Sequence, residues 1–252
     1  YYSYVLLYVD DVLCIHHDGE STIRIIDKYF KMKTGSIGDP DMYLGAKLRK
    51  TILPNRVEAW ATSPSKYVNE AVKNVESYLA KEYDGRTLKR KAGAPFIPGY
   101  KPELDISPEL DTIQTQYYQS LIGVLQWMVE IGRIDMITEV SMMAAHMAMP
   151  REGHLDNIFH MFAYLKIKNN SRMVFDPSYP NTDMTSFKVC DWKHFYKGAA
   201  EAIPDNAPGP RGKDVDVRCF VDADHAGDTV TRRSRTGFFI LINMAPVIFL
   251  SL

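Results

Sequence analysis

Tyr4-Val5-Leu6-Leu7-Tyr8-Val9-Asp10-Asp11-Val12-Leu13-Cys14-Ile15 sets two adjacent carboxylates between two apolar runs. Both runs are rich in β-branched or aromatic residues and carry neither a helical period nor a helix cap. They predict two strands joined by a tight turn. The aspartates stand out of the ribbon at that turn, because an ionised carboxylate in an apolar interior is strongly disfavoured. Asp10 and Asp11 are therefore expected to be solvated or to hold cations. Two divalent metals about 3.5–4 Å apart can clamp the attacking and leaving oxygens of nucleotidyl transfer. An ordinary acidic turn is the competing reading, and these residues alone leave it open.

Downstream, Ser21 is placed to cap a short amphipathic helix in which Ile23, Ile26, Tyr29 and Phe30 share a face. Gly35, Gly38, Asp39 and Pro40 break the chain. Tyr43-Leu44-Gly45-Ala46-Lys47-Leu48 predicts the next strand, paired with Val57–Trp60 across a turn at Pro54-Asn55. Ser63-Pro64-Ser65 starts a helix carrying Tyr67, Val68, Ala71, Val72 and Val75. A polar, Pro-rich stretch from Arg86 to Pro108 reads as an exposed connector. Its basic cluster, Arg86 to Lys91, suits either a nucleic-acid backbone or plain solvent.

Three apolar stripes at helical spacing follow. They are Ile113, Tyr117, Leu121, Val124, Leu125 and Met128; then Ile137, Val140, Ala144 and Met147; then Leu155, Ile158, Phe159, Phe162 and Leu165. The methionines between 136 and 161 are read as core filling of one bundle. Residues 171–214, with Pro177, Pro180, Pro204, Pro208, Pro210, Gly209 and Gly212, read as a tether with some local structure around Trp192–Tyr196. From Val215 the period changes to strands over 217–222, 237–242 and 246–250.

With 46% hydrophobic residues, 252 residues suffice for a core shared among subdomains. The net charge of −1 excludes a uniformly basic surface, so any nucleic-acid contact must come from local clusters. The cysteines, Cys14, Cys190 and Cys219, lie far apart without metal-site spacing and point to a reduced, intracellular setting. No apolar stretch approaches a membrane span and no signal peptide is visible, so no membrane partner is expected. The chain opens inside a strand without an initiator methionine, which points to a piece of a longer polypeptide.

Several segments, in order along the chain, resemble copia-type long-terminal-repeat retrotransposon reverse transcriptases. They are Tyr4–Asp11, Phe30–Lys33, Met42–Gly45, Tyr118–Trp127, Ile134–Val140, Met149–His154, Tyr164–Lys166, Val221–Asp228 and Arg232–Gly237. The resemblance implies an α+β fold in which residues 1–60 are the end of a polymerase palm, with the carboxylate hairpin and primer-grip strands. Residues 61–170 are then a helical thumb, 171–214 a tether or connection, and 215–252 the start of a ribonuclease H-like β-meander.

The same resemblance makes Asp10 and Asp11 two catalytic, metal-binding aspartates of the polymerase site. Asp222 becomes the first catalytic, metal-binding aspartate of the ribonuclease H site, with Asp224 as the neighbouring alternative. Tyr8, Leu44 and Gly45 are implied to meet primer or template, and Arg232 and Arg233, with Arg235 beside them, to grip phosphates of a hybrid. A charged hairpin loop is the alternative for the arginines. Mg2+ or Mn2+ is the implied cofactor of the intact enzyme. The implied partners are RNA template, DNA primer, deoxynucleoside triphosphates and the rest of the Pol polyprotein, in a cytoplasmic virus-like particle or the nucleus. The remaining carboxylates of both sites are expected outside residues 1–252, so the isolated chain is expected to perform neither reaction. A non-catalytic relic or a primer–template-binding module is the other open class. Lys31 or Lys33 is placed either to protonate pyrophosphate or simply on the surface. His16, His17, His154 and His160 are expected to be satisfied or solvated rather than metal ligands.

Overall fold

The computed structural model describes residues 3–181, 183, 185, 191, 193–198, 204–207, 209 and 212–251. Cys190, Trp192, Pro208 and Pro210 lie outside the described residues. Alternating apolar residues produce β1 (Tyr4–Tyr8) and β2 (Asp11–Ile15), paired antiparallel from Tyr4↔Ile15 to Tyr8↔Asp11. The following α1 (Gly19–Asp27) is capped by Asp18, whose carboxylate accepts the Ser21 N–H at 3.2 Å, and not by Ser21 itself. Aspartate caps as well as serine does, and it is the residue that reaches the free N–H groups first.

A second sheet has the order β3-β4-β5-β6, from β3 (Met42–Tyr43), β4 (Ala46–Ile52), β5 (Glu58–Ser63) and β6 (Met173–Phe175). The strand expected over 43–48 is thus broken at Leu44-Gly45. Leu44 (φ 54°) and Gly45 (φ 82°) are both left-handed, the signature of a two-residue type I′ hairpin turn. β6 opens the segment read as a tether and adds to the sheet through Trp60↔Phe175, Ala61↔Val174 and Thr62↔Met173. Three residues are too few to display a strand period. A short helix, α6 (Lys193–Tyr196), provides the local structure expected near Trp192.

Four helices form the main core: α2 (Ser65–Glu82), α3 (Thr112–Glu130), α4 (Ile137–Ala144) and α5 (Glu152–Ile167). Asp111 and Gln114 form a reciprocal capping box that starts α3. Val68, Val72, Val75 and Leu79 of α2 interlock with Leu121, Ile122, Leu125 and Met128 of α3 and with Met143 of α4. Ile113, expected on this stripe, is 74% exposed because it precedes the turn at which α3 enters the bundle.

α5 is buried on nearly all sides, polar residues included. Its buried polar side chains hold the stretch expected to be an exposed connector, which instead runs along the helix as a strap. The His160 Nε2–H donates to the Ala94 carbonyl, and Asn157 accepts the Ile97 N–H at 3.2 Å. The His154 Nε2–H donates to the Pro102 carbonyl, while its Nδ1 accepts the Arg151 N–H at 3.0 Å. Ser107 Oγ accepts the Gly153 N–H, and Arg151 donates to the Ser107 carbonyl at 2.6 Å. Asp105 fills the space over Gly153, where a Cβ would lie 1.9 Å from its Oδ2. These partners satisfy most of the groups that are expensive to bury unpaired, the His160 Nδ1 excepted among the described residues.

At the other end of α5, fully buried Arg133 forks onto both oxygens of Asp135 at 2.8 Å and donates to the Lys168 carbonyl. Tyr164 stacks against its guanidinium and donates to Asp135.

The third sheet is a meander of β7 (Val217–Ala223), β8 (Thr236–Ile242) and β9 (Ala245–Ser251), with a bulge at Ile240/Leu241. Phe249 packs on the helical core. The β7–β8 loop docks on the strap, Thr229 donating from Oγ1 to Glu103 at 3.0 Å. Beside this contact, half-buried His146 lies with its ring 4.3 Å from that of His154. Burial holds the His146 imidazole below the ordinary value, helped by His154 and Arg235 and opposed by Asp228 and Glu103. Burial likewise lowers His160, with Lys89 adding to it and the Ala94 contact opposing it. Among the described residues, no helix is long and apolar enough to cross a membrane.

Two outcomes are expected. Arg133→Ala strands a part-buried carboxylate and empties a buried fork, and is expected to cost about 3–5 kcal/mol in denaturant unfolding. Second, the folded chain resists protonating His146 and His160, whereas the unfolded chain takes up those protons near pH 6.5. Stability is therefore expected to fall as the pH drops through that value, and the double variant His146→Gln/His160→Gln to flatten the fall, measured as unfolding free energy against pH.

Candidate functional site

The β1–β2 turn consists of Val9 and Asp10, and it is strained. Val9 has φ 54° while Asp10 does not share the positive φ, the pattern of a type II′ turn whose first central position ordinarily takes glycine. A β-branched residue there is a genuine outlier. Its side chain is 86% exposed, so it gains little packing in return. Local strain of this kind persists only where the surroundings enforce it, and it concentrates at functional positions.

The surroundings are visible. Asp11 Oδ2 accepts the Leu44 backbone N–H at 3.2 Å, which ties the tip of the β1–β2 hairpin to the tip of β3–β4. Tyr43 lies close enough that the Asp11 carboxylate adds to burial in pushing its phenol up from the ordinary value. Tyr8 sets its ring 5.9 Å from that of Trp127 on α3. On the second tip, Gly45 lies against Tyr67 of α2, 4.0 Å from the place of a Cβ. The structure thus brings together Tyr8, Asp10, Asp11, Leu44 and Gly45, five of the residues singled out in the sequence. It adds Tyr43, Tyr67 and Trp127. Trp127 falls off the core stripe of its helix, and no spacing marks it.

Asp222, Arg232 and Arg233 belong to a different sheet. Among the described residues, no hydrogen bond or ion pair joins them to the hairpin tips. Asp222 sits exposed near the end of β7 opposite Gly237 and, among the described residues, accepts the N–H of its neighbour Ala223. Asp224 differs: its Oδ1 accepts the Arg235 N–H at 2.7 Å and the Gly227 N–H at 3.3 Å, and a Cβ on Gly227 would collide with its Oδ2. Asp224 therefore closes the loop, and Asp222 is the carboxylate left facing solvent. Asp228 accepts the N–H groups of Val230 and Thr231, which hold its carboxyl below the ordinary value. The loop so built presents Arg232 (φ 60°) and Arg233 to solvent with no ion pair among the described residues.

Divalent cations such as Mg2+ want about six oxygen donors. Asp10 and Asp11 offer two carboxylates on consecutive residues, and one oxygen of Asp11 is engaged by Leu44. No group of three or more His, Cys, Asp or Glu side chains able to hold a metal occurs among the described residues. The donors present do not complete a divalent site, at the hairpin or at Asp222. Both ring nitrogens of His154 are engaged, as a satisfied histidine's would be, whereas His160 donates from Nε2 to the Ala94 carbonyl and its buried Nδ1 has no hydrogen-bond partner among the described residues. Comparisons with protein-family models, curated proteins and solved structures gave no match.

If strain at Val9 is enforced by these contacts, Val9→Gly relieves it. The variant is expected to be stabilised by about 1 kcal/mol, read as a rise in Tm.

Proposed function

We propose that this chain is part of an RNA-directed DNA polymerase of the copia-type retrotransposon kind, spanning the end of its palm, its thumb and the opening strands of its ribonuclease H domain. The observation that carries this reading is the Asp11–Leu44 contact. In-line extension of a primer needs the 3′ end held beside the paired carboxylates, because phosphoryl transfer is mainly positioning and electrostatics. A second hairpin tip, its backbone presented by a left-handed Leu44-Gly45 turn, touches Asp11 and supports the reading of such a grip. The exposed arginines of the β7–β8 loop suit phosphates of an RNA–DNA hybrid, with Asp222 beside them. In the intact enzyme Mg2+ or Mn2+ would neutralise developing phosphoryl charge. Template RNA, primer DNA, deoxynucleoside triphosphates and other parts of the Pol polyprotein are the partners.

A second reading, a primer–template-binding module without chemistry, is favoured by the donor count at the hairpin. Both readings predict binding; only the first, in the assembled enzyme, predicts synthesis. A labelled RNA–DNA hybrid titrated at several salt concentrations is expected to bind the chain with affinity that falls as salt rises. Arg232→Ala/Arg233→Ala is expected to weaken binding and to reduce the salt slope by about one per lost phosphate contact. The same preparation with Mg2+ and deoxynucleotides is expected to extend no primer. A hybrid that does not bind at low salt sinks the reading, and primer extension by the chain alone sinks the account of its donors.

A further inference from the structure

We infer that Trp127 is a positioning residue for the paired carboxylates: its indole, through Tyr8, anchors the strained Val9-Asp10 turn to the helical bundle. The inference deepens the reading above and rests on it for its functional consequence, but not for its structural test.

A β-hairpin of two short strands is marginal by itself. This one has a further handicap, since its turn places a β-branched residue in the left-handed region. Its strands gain little from burial: Tyr4, Leu7, Tyr8 and Ile15 are all more than half exposed. Something outside the ribbon must therefore fix the tip. Among the described residues, tertiary contacts reach it on each side of the turn. On the β2 side, Asp11 accepts the Leu44 N–H. On the β1 side, Tyr8 meets Trp127, with ring centroids 5.9 Å apart and planes tilted by 36°. Tyr8 and Asp11 are the last paired residues before the turn, so together the contacts bracket Val9 and Asp10.

They are unequal in what they fix. The Asp11–Leu44 bond joins one hairpin tip to another, and it reaches the bundle only indirectly, through the second tip, where Gly45 lies against Tyr67 of α2. Trp127 belongs to α3, whose neighbours Leu125, Met128 and Val129 are buried, so its backbone is held by the core. An aromatic pair in a tilted arrangement adds directional preference to contact area. The Tyr8–Trp127 contact is thus the direct link from the bundle to the strand end that carries the carboxylate turn.

The test compares wild type with Trp127→Ala and Trp127→Phe by amide hydrogen exchange, Tm and hybrid affinity. Trp127→Ala is expected to raise exchange at least tenfold at the Leu44 amide and across residues 8–11. Exchange in α2, α3 and α5 should be unchanged and Tm shifted by only a few degrees. Trp127→Phe, which keeps a ring, is expected to restore most of the protection. Hybrid affinity is expected to fall about tenfold in the alanine variant and to recover in the phenylalanine variant. If Trp127→Ala does not fold, Tyr8→Ala removes the contact from the other side and must give the same local increase. Unchanged exchange at the turn overturns the inference. So does an increase spread evenly over the bundle, or no recovery with phenylalanine. Local loosening in a protein whose wild type binds no hybrid would support the anchor and overturn the polymerase reading instead.

Discussion

The row of polar side chains on α5 is the constraint on which the rest of the chain's path depends. A helix buried on nearly every side must find partners for His154, Asn157 and His160, because an unpaired polar group at that depth costs about 1–3 kcal/mol. Those partners are backbone groups of residues 94–102, a segment that also sets Phe96 and Tyr100 against the core. Once the strap lies along α5, Asp105 and Ser107 are delivered to the start of the helix, and Glu103 is turned outward to receive Thr229. The β7–β8 loop thus gains an exposed contact with the strap, while the third sheet itself packs through β9, whose Phe249 lies on the helical core.

The carboxylate hairpin obeys a different logic. It has little core of its own, and its turn carries the residue type least suited to it. Where a sequence breaks a local rule, function or compensation is the expected cause. Here the compensation is tertiary, from the Leu44 amide on one side and Trp127 on the other. Neither hairpin turn uses the residue its geometry prefers at the first position, since Leu44 as well as Val9 is left-handed. The strain is therefore concentrated at two tips that touch each other.

Much of the fold was legible because hydrophobic period survives folding. The meander over 217–250 and the buried stripe of α5 lie where alternation and helical spacing put them. What was not legible depended on partners distant in the chain. The strap looked like exposed linker because its few buried residues, such as Ala92 and Leu88, carry no period; its order comes from α5 side chains some sixty residues away. The break at Leu44-Gly45 was hidden by the apolar character of leucine, which suggests strand whether or not its φ allows one. At the site, the paired aspartates and the Leu44-Gly45 segment were identifiable from residue type and order. Trp127 was not, because a half-buried tryptophan on a core helix looks the same in sequence whatever it faces.

The two groups of candidate residues lie on separate sheets, and each is held by the bundle rather than by the other. Trp127 on α3 reaches the hairpin that carries Asp10 and Asp11. Glu103 on the strap and His146 beyond α4 face the loop between Asp222 and Arg235. The element between the two groups of residues is the packing of α3, α4 and α5. With a net charge of −1, the chain has little long-range attraction for phosphates, so the binding proposed above would rest on local groups such as Arg232 and Arg233. Holding them is the work of Asp224 and Asp228, whose carboxylates are spent on backbone N–H groups of the loop. Loss of those loop bonds would leave the arginines present in number but without a common direction, which is the difference between a charged surface and a grip.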